Sequence, residues 1–104
     1  HLNFITMDAL ATATRVVEKE SISLLTFPPS DVLLTDKERV ERRKRINRAM
    51  KLGNTRKSKV RIMFEDTEGI KTVETTIWGV TEKNVILKQT TLIPIRRVHQ
   101  IKFY

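Results

Sequence analysis

The chain has 104 residues, of which 39% are hydrophobic and 31% are charged, and its formal net charge is +8. This length allows one domain with a modest core, and no apolar run approaches the ~20 residues that a membrane-spanning helix needs. The absence of cysteine excludes disulfides and thiolate chemistry within the chain and fits a reducing compartment. We therefore expect a soluble, folded, cytoplasmic protein with a heavily charged surface.

The N-terminal region predicts a helix followed by a proline linker. Apolar residues recur near helical spacing from Met7 to Lys19, although β-branched residues weaken this prediction. Residues 1–15 lack a basic start and a long apolar run, so no signal peptide is expected. The two prolines of Phe27–Ser30 interrupt regular structure. We divide the chain into a helical or extended segment with its linker (residues 1–30), a basic helix (31–56) and a small β-barrel (57–104).

The helix after the linker has clear end signals. Thr35 and Glu38 form a capping box, in which each side chain satisfies a backbone N–H of the other residue. Gly53-Asn54 offers a C-cap, so we predict a helix over Asp36–Leu52. Its apolar residues are too few for a stripe along its whole length. We therefore expect its last turns to pack on the sheet and its first turns to project into solvent.

Positive charge is concentrated between Lys37 and Arg61. Twelve of these 25 residues are Lys or Arg and only Glu38 and Glu41 oppose them, so the rest of the chain is slightly acidic. Such a field attracts polyanions, and contacts to phosphate gain affinity by releasing counterions. We expect the nucleic-acid-binding residues to be Arg39, Arg42, Arg43, Lys44, Arg45, Arg48, Lys51, Arg56, Lys57 and Lys59, with a second basic spot at Arg96 and Arg97.

From Lys59 onward the apolar period changes to two, which predicts five antiparallel strands. These cover about Lys59–Glu65, Ile70–Thr81, Val85–Lys88, Leu92–Ile95 and a last strand through His99, Ile101 and Phe103. Asp66–Gly69 has the composition of a hairpin turn. Gly79 lies where burial switches faces in the long second strand, as expected for a strand that bends sharply around a small barrel, and Pro94 favours a sheet edge or a strand end. The predicted core consists of Val60, Ile62, Phe64, Val73, Ile77, Val85, Leu87, Ile93, Ile95 and Ile101.

The segments KVRIMFED, TVETTIWGVTEKNVILK and TLIPIRRVHQI resemble the small β-barrels of the SH3-like and Sm-like class. The resemblance covers about Lys59 to Phe103 and is that of a small bacterial protein. It implies an α+β fold, with N-terminal helices followed by a five-stranded antiparallel barrel. Many bacterial members of this class bind RNA or associate with ribosomes or nucleoids, and others bind peptides.

The remaining candidate site residues have simple structural interpretations. Trp78 and Tyr104 are the scarce large aromatics, and either can stack on a base; for Trp78 we favour packing in the core. The acids of residues 65–68 are ordinary for a hairpin turn, so we expect no metal site. His99 has no sequence motif to pair with for catalysis, and no glycine-rich phosphate loop is present. We expect neither an enzyme nor a cofactor.

Two functions are consistent with these features. The first is a nucleic-acid-binding accessory protein, with RNA favoured over DNA because no helix-turn-helix is visible and small barrels often bind single strands. The second is a protein-interaction module whose basic helix binds an acidic protein and whose barrel binds a peptide.

Overall fold

The computed structural model describes residues 15–104, in which one long helix packs against two β-sheets. The elements in chain order are strand β1 (Arg15–Val16), a 3₁₀ turn (Lys19–Leu24), helix α1 (Asp36–Arg56), β2 (Val60–Asp66), β3 (Gly69–Thr75), β4 (Ile77–Val80), β5 (Asn84–Leu87), a 3₁₀ turn (Lys88–Thr90), β6 (Leu92–Pro94), a 3₁₀ turn (Ile95–Arg97) and β7 (Val98–Phe103).

The start of the described chain is extended where a helix was predicted. Residues 7–14 of the predicted helix lie outside the described residues, but β1 runs parallel to β3, with Arg15 opposite Lys71. The N–H of Val17 then donates to the Thr72 carbonyl at 2.8 Å. Pairing with a sheet edge satisfies the backbone here, and it suits the β-branched valines better than a helix does. The prediction of helix over residues 15–18 is therefore wrong.

The strands form two sheets and do not close into a barrel. The four-stranded sheet has the order β1-β3-β2-β7, and the three-stranded sheet has the order β4-β5-β6. The predicted five-stranded barrel is wrong because the predicted strand Ile70–Thr81 is interrupted at Thr76. Its two parts, β3 and β4, belong to different sheets. The pairing of β4 with β5 shifts register between Ile77 and Gly79, whereas the chain changes sheets at Thr76 and not at Gly79.

Several local predictions are confirmed. β2 and β3 form a hairpin in which Asp66 pairs with Gly69, so Thr67 and Glu68 make the turn. β6, which ends at Pro94, is an edge strand of its sheet. A 3₁₀ turn (Ile95–Arg97) follows β6, where the predicted strand Leu92–Ile95 would have included Ile95.

The hydrophobic core lies between the sheets and α1. All ten predicted core residues are buried, as their alternation along the strands requires. Four further buried hydrophobic residues lie outside the predicted core: Ile22, Ile46, Ala49 and Val98. Ile22 reaches the core from a 3₁₀ turn, where no regular apolar period marks it. Ile46 and Ala49 supply the inner side of α1.

Helix α1 begins where the capping box predicts and ends one turn later than expected. The Glu38 N–H donates to Thr35 Oγ1 at 3.2 Å, and the Thr35 N–H donates to Glu38 Oε1 at 3.3 Å. The predicted cap at Gly53-Asn54 is wrong, since both residues are helical. The helix ends at Arg56 and is capped by Lys57, whose left-handed backbone (φ 54°, ψ 33°) lets its N–H reach the Gly53 carbonyl at 3.0 Å.

Gly53 allows α1 to pack closely against the junction between β3 and β4. A Cβ at this position would lie against the Ile77 carbonyl oxygen, far inside van der Waals contact, and 2.9 Å from Thr76 Cγ2. The lack of a side chain therefore sets how near the helix packs to the sheet. This contact also fixes the position of Lys57, which follows the last turn of α1.

Replacing Gly53 by Ala should destabilise the protein, although Ala is the better helix former by about 1 kcal/mol. The clash is with backbone, so α1 must shift, and overpacking of this kind costs roughly 1–3 kcal/mol. The control is Asn54→Ala, at an exposed helical position one residue further on. Urea unfolding would contradict the close-approach argument if Gly53→Ala were as stable as Asn54→Ala.

Removing the N-cap should also lower stability. Thr35→Ala deletes the oxygen that accepts the Glu38 N–H, which costs ~1 kcal/mol of unfolding free energy. Asn47→Ala, at an exposed position in the middle of α1, should show no such loss. Thermal unfolding of both variants distinguishes a lost cap from a general effect of alanine in the helix.

Candidate nucleic-acid interface

Arg42 is buried and anchors α1 to the rest of the molecule. Its side chain is 7% exposed, and the guanidinium donates to both carboxylate oxygens of Asp31, at 2.8 and 2.7 Å. The same group donates to the Val98 carbonyl at 3.1 Å. The expectation that the first turns of α1 project into solvent is therefore wrong on this side. Arg42 binds the helix to the linker and to the start of β7.

The electrostatics of Asp31 reflect this contact. Partial burial acts to raise the pKa of Asp31, but hydrogen bonds from Arg42 and the Leu33 N–H, with the charges of Arg42 and Arg39, outweigh it and lower the pKa. Arg39 adds to the anchor through the Leu33 carbonyl, to which its Nε and Nη2 donate at 3.2 and 3.0 Å. The linker and the start of α1 are therefore held together by charge.

Three more of the predicted basic residues also bind backbone carbonyls. Arg43 donates to the carbonyls of Thr81 and Glu82, at 3.0 and 2.7 Å. Arg96 donates to the Pro28 carbonyl at 2.9 Å. Arg97, which is 5% exposed, donates to the Ser30 carbonyl at 2.8 Å. With Arg39 and Arg42, these arginines tie α1 and the linker to the sheets, so the predicted second basic spot at Arg96 and Arg97 has a structural role.

The opposite side of α1 carries the exposed cations, which we call the outer basic face: Lys37, Lys44, Arg45, Arg48 and Lys51. At 3.6 residues per turn these five positions fall within about 120° of one another. Lys44 lies 3.9 Å from the exposed Glu41, and the Arg48 guanidinium lies 4.7 Å from the centre of the Phe103 ring. Within the described part of the chain, Lys37, Arg45 and Lys51 have no ion pair. Arg56 is exposed in the last turn of α1.

A second basic region lies beyond the end of the helix, around a surface cavity of about 470 Å³ that we call the Trp78 cavity. Its lining includes Lys57 and Lys59 of the predicted set, and also Lys19, Lys88 and three glutamates. Trp78 is 52% exposed, so the expectation that it packs in the core is wrong. Its neighbour Ile77 is fully buried, and alternation along β4 directs Trp78 to the other side.

Tyr104 is also exposed, in the last position of the chain. The Arg61 guanidinium lies 5.9 Å from the centre of its ring, and Arg61 also pairs with Glu74 at 3.3 Å. Tyr104 does not line the Trp78 cavity. The structure therefore brings Trp78, and not Tyr104, beside the lysines.

The acids of the β2–β3 hairpin are bound to cations. Asp66 Oδ1 lies 2.6 Å from the buried Lys71 Nζ; burial acts to raise the pKa of Asp66, but the hydrogen bond from Lys71 and those from backbone N–H groups lower it. Glu65 contacts His99 at 2.8 Å and Arg97 at 3.7 Å. No group of three or more potential metal ligands occurs among residues 15–104. No helix in that part of the chain is long and apolar enough to cross a membrane.

Comparisons of the chain with models of protein families, with curated proteins and with solved structures gave no match. The resemblance to SH3-like and Sm-like barrels is therefore still a prediction. What the chain binds has to be inferred from its own residues.

The Asp31–Arg42 contact should make stability depend on pH. Because the pKa of Asp31 is lowered on folding, its contribution is present above the unfolded value of about 3.9 and is lost as the pH falls through the folded value. Asp31→Asn should therefore cost roughly 1–3 kcal/mol at pH 7, at the lower end because Asp31 is partly solvated. The cost should shrink towards zero in strong acid.

Urea unfolding of the two proteins over a series of pH values measures this difference. Glu41→Gln is the control, because Glu41 is an exposed carboxylate of α1 outside the anchor. An Asp31→Asn cost that stays constant from neutral to strongly acidic pH would contradict the assignment.

Proposed function

We propose that the protein is a non-enzymatic nucleic-acid-binding accessory protein that contacts phosphates through the outer basic face of α1. We further propose that its ligand is RNA in preference to DNA, on or near the ribosome in the bacterial cytoplasm. The observation that carries the proposal is the outer basic face itself, where five exposed cations are opposed by one exposed acid, Glu41, and by the capping residue Glu38.

The distribution of acids supports this proposal. Asp31, Glu65, Asp66 and Glu74 are paired with cations of the fold, so they do not neutralise the outer basic face. Its charge is therefore exposed to solvent, where exchange of small counterions for phosphates favours binding. The alternative is a solvated helix face without a ligand, but two carboxylates, one of them held in the capping box, cannot neutralise five cations.

The rigidity of α1 also favours binding. A 21-residue helix is about 30 Å long, which is enough to run past several phosphates of one strand. Its inner side is fixed by the capping box, by Arg42 and Arg43, and by the close packing at Gly53. Cations on a fixed helix lose less conformational freedom on binding than cations on a mobile tail.

The preference for RNA follows from the shape of the described chain. Between residues 15 and 104 there is a single α-helix, so this part of the molecule has no helix-turn-helix to insert a recognition helix into a DNA major groove. Exposed cations beside a sheet with an exposed aromatic are typical of proteins that bind single strands or structured RNA.

The outer basic face can be tested by removing two of its unpaired charges. Arg45→Gln with Lys51→Gln should weaken binding to structured RNA by about tenfold or more at moderate salt. The slope of log K against log salt should fall by roughly 0.7–0.9 for each lost phosphate contact. Arg42 is unsuitable for this test because it holds the helix in place.

The matched control removes two charges elsewhere, by Lys83→Gln with Lys102→Gln, both exposed positions outside α1. Electrophoretic titration should be run with structured RNA, duplex DNA and heparin. If the control weakens binding as much as the α1 variant, net charge alone is responsible and the outer basic face is not the site. If the wild-type protein binds none of the three at ~50 mM salt, the proposal is wrong and an acidic protein becomes the favoured partner.

A further inference from the structure

The Trp78 cavity combines an exposed aromatic with cations in one place. It lies where the chain passes from β3 to β4 and so from one sheet to the other. Residues 16–20 form one wall, and Lys57, Thr76 and Lys88 contribute to the others. Its volume of about 470 Å³ falls within the roughly 300–1,000 Å³ of sites that hold small ligands.

Trp78 is positioned for stacking. It is the only tryptophan of the chain, and 52% of it is exposed although the ring is the largest apolar group in the protein. The shift in pairing between β4 and β5 falls at this residue, between Ile77 and Gly79. Bulges of this kind redirect a side chain beside a functional site.

The charges around Trp78 leave several lysines unpaired. Glu20 is paired with Lys19 at 3.1 Å, and Glu74 is paired with Arg61 at 3.3 Å. Within the described chain, Lys57 and Lys88 make no ion pair. Lys59 makes none within 4.0 Å either, but its charge helps to lower the pKa of Glu74. Glu18 is the one lining acid without an ion-pair partner. The cavity therefore offers more unneutralised positive than negative charge.

The backbone brings one of these lysines to the cavity through a sparsely populated conformation. Lys57, the residue that caps α1, has φ 54°. Glycine would adopt this geometry at Lys57 at lower cost. A lysine there places a positive charge at the rim, beside Thr76, whose hydroxyl donates to the Lys57 carbonyl at 3.4 Å.

We propose that the Trp78 cavity binds an unpaired base of a single-stranded nucleic acid. The base stacks on the exposed face of Trp78, and Lys57, Lys59 and Lys88 contact the phosphates that flank it. This rests on the proposed function, and it adds that the ligand has an unpaired segment next to the phosphates bound by α1. Every base has a face that can stack, so the site should distinguish single strands from duplexes and should depend little on base sequence.

Fluorescence of the sole tryptophan tests this proposal directly. A short labelled single-stranded RNA, the same RNA annealed to its complement, and heparin should each be titrated into the full chain. Label anisotropy reports binding of the two RNAs, competition with the labelled strand reports binding of heparin, and Trp78 emission reports occupation of the cavity. We expect the single strand to quench Trp78 strongly, while the duplex and heparin bind with little quenching. Single-stranded DNA of the same sequence should quench as well, since the stacked base is common to both.

Trp78→Leu provides the second measurement. Loss of the stacking surface should weaken binding of the single strand by roughly tenfold while leaving heparin binding unchanged, and Trp78→Phe should recover part of the affinity. Trp78 is half exposed, so thermal unfolding should show that both variants are folded. Lys88→Gln should weaken single-strand binding severalfold, whereas Lys83→Gln, on the turn before β5, should not.

The outcomes separate this inference from the proposed function. RNA binding without quenching, or equal quenching by heparin, overturns the base site but leaves the outer basic face as the interface. No binding of any nucleic acid in the anisotropy measurement overturns both. Selective quenching by single strands, with a selective loss in Trp78→Leu, supports the base site.

Discussion

The bidentate contact between Arg42 and Asp31 determines how the helix sits on the rest of the molecule. One guanidinium joins the linker, α1 and the start of β7. Helix α1 has few apolar residues, so hydrophobic packing alone would hold it weakly. With Arg42 turned inward, the side of α1 that carries Lys44, Arg48 and Lys51 must face solvent. Lysine would not replace Arg42 here, because only a planar guanidinium binds two carboxylate oxygens and a carbonyl together.

The basic residues of α1 therefore fall into two groups, which differ in their contacts and not in their chemical type. Arginines on the inner side bind carbonyl and carboxylate oxygens of the same chain, while lysines and arginines on the outer side have little to bind within it. The inner contacts fix the outer charges in space. Binding of a polyanion to this face would therefore cost less conformational entropy than binding to a flexible basic tail, because the cations are already ordered.

Local patterns in the sequence were sufficient for much of the fold. The capping box, the β2–β3 hairpin and the ten core residues depend on neighbours within a few positions or on strand alternation. Arg42 was misplaced because its burial depends on Asp31, which is not marked as a partner by any local spacing. The sequence predicts Gly53 as a cap because glycine often follows the end of a helix, whereas in the fold it permits close contact with Ile77, which is distant in sequence. The break at Thr76 has no glycine or proline to signal it. The exposure of Trp78 could have been predicted from the sequence. Ile77 belongs to the predicted core, and adjacent residues of a strand point to opposite sides.

The outer basic face also affects how copies of the protein meet one another. Two molecules that approached through α1 would bring five cations on each side into opposition, and each would need counterions between them. This repulsion keeps a long exposed helix from pairing with its own kind, although antiparallel helix pairs are a common mode of self-association. The same charge that underlies the proposed binding of a polyanion therefore also disfavours self-association through this surface.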